Sequence, residues 1–164
     1  MPSNATVKTV SARNYLAFLF IGLAVVITGV VLFHSQHVIA PTKPAPKRPT
    51  QVQLEGSTFS IRVADTPALW AQGLSGTSQL PSDEAMLFIF DQPETACFWM
   101  KDMHYNLDIL WFDTGRHLIY EEQNLSPATY PNSFCAPGLT AYVLEVNAGT
   151  AQRLHVKLGD SLGF

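Results

Sequence analysis

The 164 residues leave room for one domain plus extras, and charge divides sharply along them. Residues 1–50 carry Lys8, Arg13, Lys43, Lys47 and Arg48 and no acid, whereas residues 51–164 carry five bases against all 13 acids, a net of −8. An acidic domain repels phosphate backbones, and no basic stripe interleaved with aromatics is present, so nucleic acid is excluded as the expected partner.

Residues 1–14 form a short tail. Tyr15 to Phe33, YLAFLFIGLAVVITGVVLF, is an uncharged run of 19 residues. As a helix rising about 1.5 Å per residue it would be roughly 28 Å long, close to the ~30 Å hydrocarbon core of a bilayer. A cleaved signal peptide competes with this reading, but its apolar region normally runs about 7–15 residues. The small-residue site Val38-Ile39-Ala40 is also followed at once by Pro41. The expectation is a retained signal anchor, one transmembrane helix over 15–33. Basic residues flank it on both sides, those of the short tail lying nearer. That places the N-terminus inside and the domain on the extracytoplasmic side of a cell membrane. Residues 34–50 hold Pro41, Pro44, Pro46 and Pro49, a polyproline-like spacer reaching up to about 50 Å. His34 and His37 form an HxxH pair, but two ligands in an extended linker do not make a metal site, and they read as polar residues at the membrane interface.

From Gln51 to Phe164 the pattern changes to short strands between turn signals. Val52–Leu54 and Thr58–Val63 read as a hairpin turning at Glu55-Gly56-Ser57. Asp65 or Thr66 caps a short helix, with Pro67 in its first turn and Gly73 ending it. Ser75–Glu84 is a polar loop. Met86–Phe90 is continuously apolar, so both its faces are covered, and Asp91-Gln92-Pro93 is expected to turn the chain. Ala96–Lys101 sets Cys97, Trp99 and Lys101 on one face and Phe98 and Met100 on the other. Leu107–Asp113 is again apolar on both faces, and Thr114-Gly115 turns into His117–Tyr120. Glu121–Leu139, with Pro127, Pro131 and Pro137, reads as a long loop. Tyr142–Val146 is the last strand, and Asn147 is expected to cap a helix over Ala148–Leu154. The fold class predicted is all-β-dominated α+β: a small closed or barrel-like antiparallel sheet with two short helices, preceded by the transmembrane helix.

Several motifs occur together: Gly73-Leu74-Ser75-Gly76, Met86-Leu87-Phe88, Phe98-Trp99-Met100-Lys101, Leu107-Asp108-Ile109, and Tyr142-Val143-Leu144-Glu145-Val146 with Ala148-Gly149. In order and spacing they resemble the domain of unknown function 192 family over about residues 52–163. The resemblance implies a small β-barrel-like domain, often exported or membrane-anchored, with no established activity. This chain departs from the family pattern at Thr77, where a basic residue is usual, at Ala85 for glycine, at Asp102 for asparagine and at Asn106 for proline. If the family site uses that basic residue, binding here is weakened or altered.

The segment Cys97–Asp113 concentrates aromatic and charged groups around one turn. Trp99, Lys101, Tyr105, Asp108 and Glu145 are the candidate ligand-binding residues. Lys101 and Asp108 flank the turn, and with Glu145 they offer an ammonium and two carboxylates for a polar ligand or for acid–base chemistry. The structural alternative has Asp108 accepting backbone N–H bonds to hold the 102–106 turn, with Lys101 lying along Trp99. Trp99 and Tyr105 are candidates to stack on a sugar or peptide, and Trp111 reads as core. Cys97 and Cys135 are the only cysteines and form a possible disulfide that would close a loop of about 38 residues, worth about 3–4 kcal/mol. Met100, Met103 and His104 with Cys97 suggest a soft metal such as copper, but methionine beside aromatics is usually core filling, so no metal and no cofactor are assigned.

The leading expectation is a non-enzymatic, membrane-anchored envelope domain that binds a ligand or a membrane-protein partner at the 99–108 turn. Two alternatives stand beside it. One is a hydrolase-type enzyme using Asp108, Lys101 and Glu145, which must then converge on one pocket. The other is an accessory subunit docked through its transmembrane helix.

Overall fold

A computed structural model describes residues 48–164. The tail, the 15–33 anchor, the His34–His37 pair and nearly all of the proline-rich spacer lie outside the described residues. Within them no helix is long and apolar enough to cross a membrane, so the expected transmembrane helix is not among the elements found.

The chain runs β1 (Gln51–Leu54), β2 (Ser57–Ala64), α1 (Pro67–Gln72), β3 (Glu84–Glu94), β4 (Cys97–Trp99), β5 (Leu107–Phe112), β6 (Leu118–Leu125), a 3-10 turn (Pro127–Thr129), β7 (Ser133–Cys135), β8 (Thr140–Asn147) and α2 (Thr150–Leu154). Six strands form one sheet in the order β1-β2-β3-β8-β5-β6, and β4 pairs with β7 in a separate ribbon. The β1–β2 hairpin turns through Glu55 and Gly56, both at positive φ, a geometry that glycine accepts readily at the second position. Thr66 caps α1 through its hydroxyl, Pro67 occupies the first turn, and Gly73 ends the helix at φ 50°. A side chain at Gly73 would be doubly unfavourable, because its Cβ would also lie 3.4 Å from Phe88 Cζ.

The expectation of a closed or barrel-like antiparallel sheet is wrong on two counts. The β2–β3 pair, joined through α1, is parallel. The sheet is also open, with β1 and β6 as its edge strands. Strands apolar on both faces had suggested closure, but they are covered by a second means. Alternate residues of the central strands feed two separate cores. On one face Met86, Phe88, Ile109, Trp111 and Val143 pack under α1 and the β4–β7 ribbon. On the other, Leu87, Leu110, Phe112, Leu144 and Val146 pack with Ala151, Val156 and Leu162 of the C-terminal segment. That segment also bridges Gln53 of the edge strand β1 and His117 just before the other edge strand, β6. It covers backbone groups of both edges without closing the sheet.

Three local expectations also need correction. Asp91-Gln92-Pro93 does not turn the chain, since β3 continues to Glu94 across a register shift after Ile89. Residues 121–139 are not one loop: they hold the end of β6, the 3-10 turn and β7. Asn147 does not cap α2, because its amide donates instead to the carbonyls of Leu80 and Pro81.

Candidate functional site

Phe98 fixes the ribbon to the sheet. Its ring meets Phe88 at 4.8 Å and Trp111 at 5.7 Å between centroids, both edge to face. Such pairs contribute about 0.5–1.5 kcal/mol each beyond the area they bury. Trp111 is fully buried, and its indole N–H donates to the Ala96 carbonyl at 3.0 Å, anchoring the start of β4. Cys97 and Cys135 face each other across β4 and β7 in a disulfide. At the far end, Ser75 Oγ donates to the Lys101 carbonyl at 2.9 Å, and Gly76 N–H donates to that of Asp102 at 2.8 Å. Asp102 sits at φ 54°, a left-handed conformation that Asp tolerates as Asn does. The ribbon is therefore held at both ends above one face of the sheet.

A cavity of about 220 Å³ lies between the ribbon and α1. Trp70 and the turn Gly73–Ser75 form one wall, and Cys97, Phe98 and Trp99 form the other. Phe88 and Phe90 contribute apolar surface from β3. The Trp70 ring is fixed by its N–H, which donates to the carbonyls of Ala64 and Ile89 at 3.0 and 3.2 Å, and by contact with Phe90 at 5.2 Å. Trp99 is half exposed and lies edge to face against Tyr130.

Glu145 lines this cavity from the central strand β8. It is only 5% exposed, and its Oε2 has no hydrogen-bond partner. Burial pushes its carboxyl up from 4.5 to about 8, so it is predominantly protonated at neutral pH. An unpaired polar atom at this depth costs about 1–3 kcal/mol, and more for a charged group. Its position beside open space fits a group that meets a ligand.

The candidate residues do not gather in one place. Glu145 pairs in register with Ile109, and Asp108 with Val146, so Glu145 and Asp108 point to opposite faces of the sheet. Asp108 is fully buried and satisfied. Its Oδ1 accepts from the backbone N–H of Asn124 and Gly149, and its Oδ2 from that of Ala151. It thus caps α2 and ties that helix to β6, rather than holding the 102–106 turn. Lys101 is exposed in the turn and does not line the cavity. The Tyr105 hydroxyl is 2.7 Å from Thr77 Oγ1, also away from the cavity, which links the loop after α1 to the turn. Trp99 and Glu145 are the two candidates that share the site. Met100 and Met103 pack into the core, and Cys97 is bonded to Cys135, so the proposed copper ligands do not assemble.

Sequence reasoning missed Trp70, Phe90 and Glu94 as lining residues. Trp70 alone carried a signal: a tryptophan on a helix too short to bury a face of its own has to serve a neighbouring surface.

Four of the five family-like motifs have a place around this geometry, while Leu107-Asp108-Ile109 carries Asp108 to the other face of the sheet. Gly73–Gly76 forms a wall and its fastening, Met86–Phe88 runs beneath, Phe98–Lys101 forms the ribbon and turn, and Glu145 supplies the buried acid. The family model described as DUF192, Uncharacterized ACR, matches residues 50–164. The chain belongs to the DUF192 family. No curated protein matches it. Among solved structures, this DUF192 domain resembles a protein of unknown function from Novosphingobium aromaticivorans with TM-score 0.66 and 32% identity, covering 70% of this chain and 84% of that one. It also resembles a protein from Sinorhizobium meliloti, provisionally described as a transcription regulator. There the TM-score is 0.64 and the identity 32%, over 68% of this chain and 90% of that one.

Proposed function

We propose that this DUF192 protein is a non-catalytic binding module of the cell envelope whose site is the Glu145 cavity. The observation that carries the reading is a deeply buried carboxyl with an unpartnered oxygen, in a cavity walled by aromatic rings. Small-ligand sites combine such apolar walls with a few placed polar groups. An extracytoplasmic, membrane-attached location is supported by the apolar run at Tyr15–Phe33 and by the exposed Cys97–Cys135 disulfide, a bond that persists in oxidising compartments. The net charge of −8 over residues 51–164 argues against extending a DNA-binding role to this chain.

Catalysis is the weaker reading. Of the Asp108, Lys101 and Glu145 set, only Glu145 reaches the cavity. The nucleophile candidates lining it are engaged, Ser75 with the Lys101 carbonyl and Cys97 in the disulfide, and no histidine lines it among the described residues.

The test is native mass spectrometry of the full-length protein in mild detergent. A small molecule retained by the wild type is expected to be lost from Trp99→Ala and Glu145→Leu. Retention unchanged in both variants would place the ligand elsewhere and defeat this reading.

A further inference from the structure

The acids that line the cavity have no basic counterpart. Glu145 sits at its floor, and Glu94, exposed on β3, sits at its mouth. Among the described residues lining it there is no lysine, arginine or histidine. Trp70, Phe88, Phe90, Phe98 and Trp99 supply five aromatic rings, and the faces of such rings carry negative potential. An anionic ligand would meet two acids and no counter-charge. A neutral apolar ligand would leave the buried Oε2 of Glu145 unpaired. A cation with an apolar surface satisfies both the rings and the acid.

Resting on the reading of this cavity as a binding site, we propose that its ligand is a small organic cation of the alkylated ammonium class. The aromatic walls hold the alkylated head, Glu94 attracts it at the mouth, and Glu145 neutralises it at the floor. The domain's overall negative charge favours the approach of such a ligand.

Binding is then coupled to a proton. Glu145 is held protonated by burial, and the cation binds its ionised form, so occupancy releases the proton. The groups facing Glu145 do not offer another source of this dependence. Met86 and Ile109 flank it on the neighbouring strands, and Gln72 and Ser75 are neutral. Asp108 faces the opposite side of the sheet, and Lys101 and Asp102 are exposed outside the lining. Glu94 remains the one other titratable carboxyl in the cavity.

The experiment is calorimetry on the full-length protein in an uncharged detergent with three probes of similar bulk. They are choline, whose charge does not change with pH, its uncharged isostere with tert-butyl in place of trimethylammonium, and pivalate. At pH 9 choline is expected to bind about tenfold or more tighter than the isostere, and pivalate not at all. Choline affinity is expected to fall by up to about tenfold per pH unit below pH 8. Glu145→Gln should remove that dependence and weaken choline at pH 9 while sparing the isostere. An isostere that binds as tightly as choline would overturn the cation assignment and leave the cavity a binding site. Binding of none of the three would overturn the cation assignment too, and native mass spectrometry then decides the binding reading separately.

Discussion

Asp108 and Glu145 are buried carboxylic acids on adjacent strands with opposite circumstances. Asp108 accepts three backbone N–H bonds, which is how a buried carboxylate is stabilised, while Glu145 has an oxygen with none. The contrast assigns one to architecture and the other to the site. Asp108→Ala orphans the N–H groups of Asn124, Gly149 and Ala151 and detaches α2. A loss of about 3–5 kcal/mol in urea unfolding is expected. Ligand binding by whatever fraction stays folded should be unaffected, and a stable Asp108→Ala protein that no longer binds would reverse the assignment. The sequence offered a backbone-accepting role for Asp108 but placed it at the 102–106 turn, because Asn124, Gly149 and Ala151 reach it only through the fold. Glu145 was legible as a candidate from Tyr142–Val146, where an acid interrupts an apolar strand.

At the scale of elements, β7 was the part least visible in the sequence, whereas its ribbon partner β4 was read within the strand Ala96–Lys101. Three-residue strands carry almost no periodicity. β7 also lies in a polar, proline-containing stretch whose pairing depends on a partner far along the chain. The hairpin β1–β2, α1 with its Thr66 cap and Gly73 stop, and β8 were all readable, since each is specified by local turn chemistry or hydrophobic pattern. The ribbon makes one wall of the cavity, and its disulfide closes a loop of separation 38. Reduction, or Cys97→Ser with Cys135→Ser, is expected to lower stability by about 3–4 kcal/mol in urea unfolding. It should also weaken ligand retention, because Trp99 is held on β4. Unchanged stability and retention after complete reduction would show that packing and hydrogen bonds hold the ribbon without the disulfide.

For the whole molecule, both-face burial of the central strands misled the sequence reading toward a barrel. An open sheet produces the same apolar runs when separate layers cover its two faces, and hydrophobicity along a strand does not distinguish the two cases. The layer formed by α1 and the ribbon leaves the space that Glu145 lines, so the cavity is a consequence of how this face is covered. Global stability should register it. A glutamate whose carboxyl is raised from 4.5 to about 8 in the folded state favours folding fully below pH 4.5. That contribution is lost as pH rises toward 8, because the unfolded chain releases the proton first. The difference is on the order of 5 kcal/mol. Glutamine at this position has no such proton to lose. The most direct measurement is therefore urea unfolding of wild type and Glu145→Gln side by side from pH 4 to pH 9, without ligand. The account predicts that wild type loses several kcal/mol relative to the variant between pH 4.5 and 8, with the difference flat beyond. Stability curves that stay parallel across that range would mean Glu145 titrates as an ordinary solvated carboxylate, and would contradict a buried acid at the centre of the site.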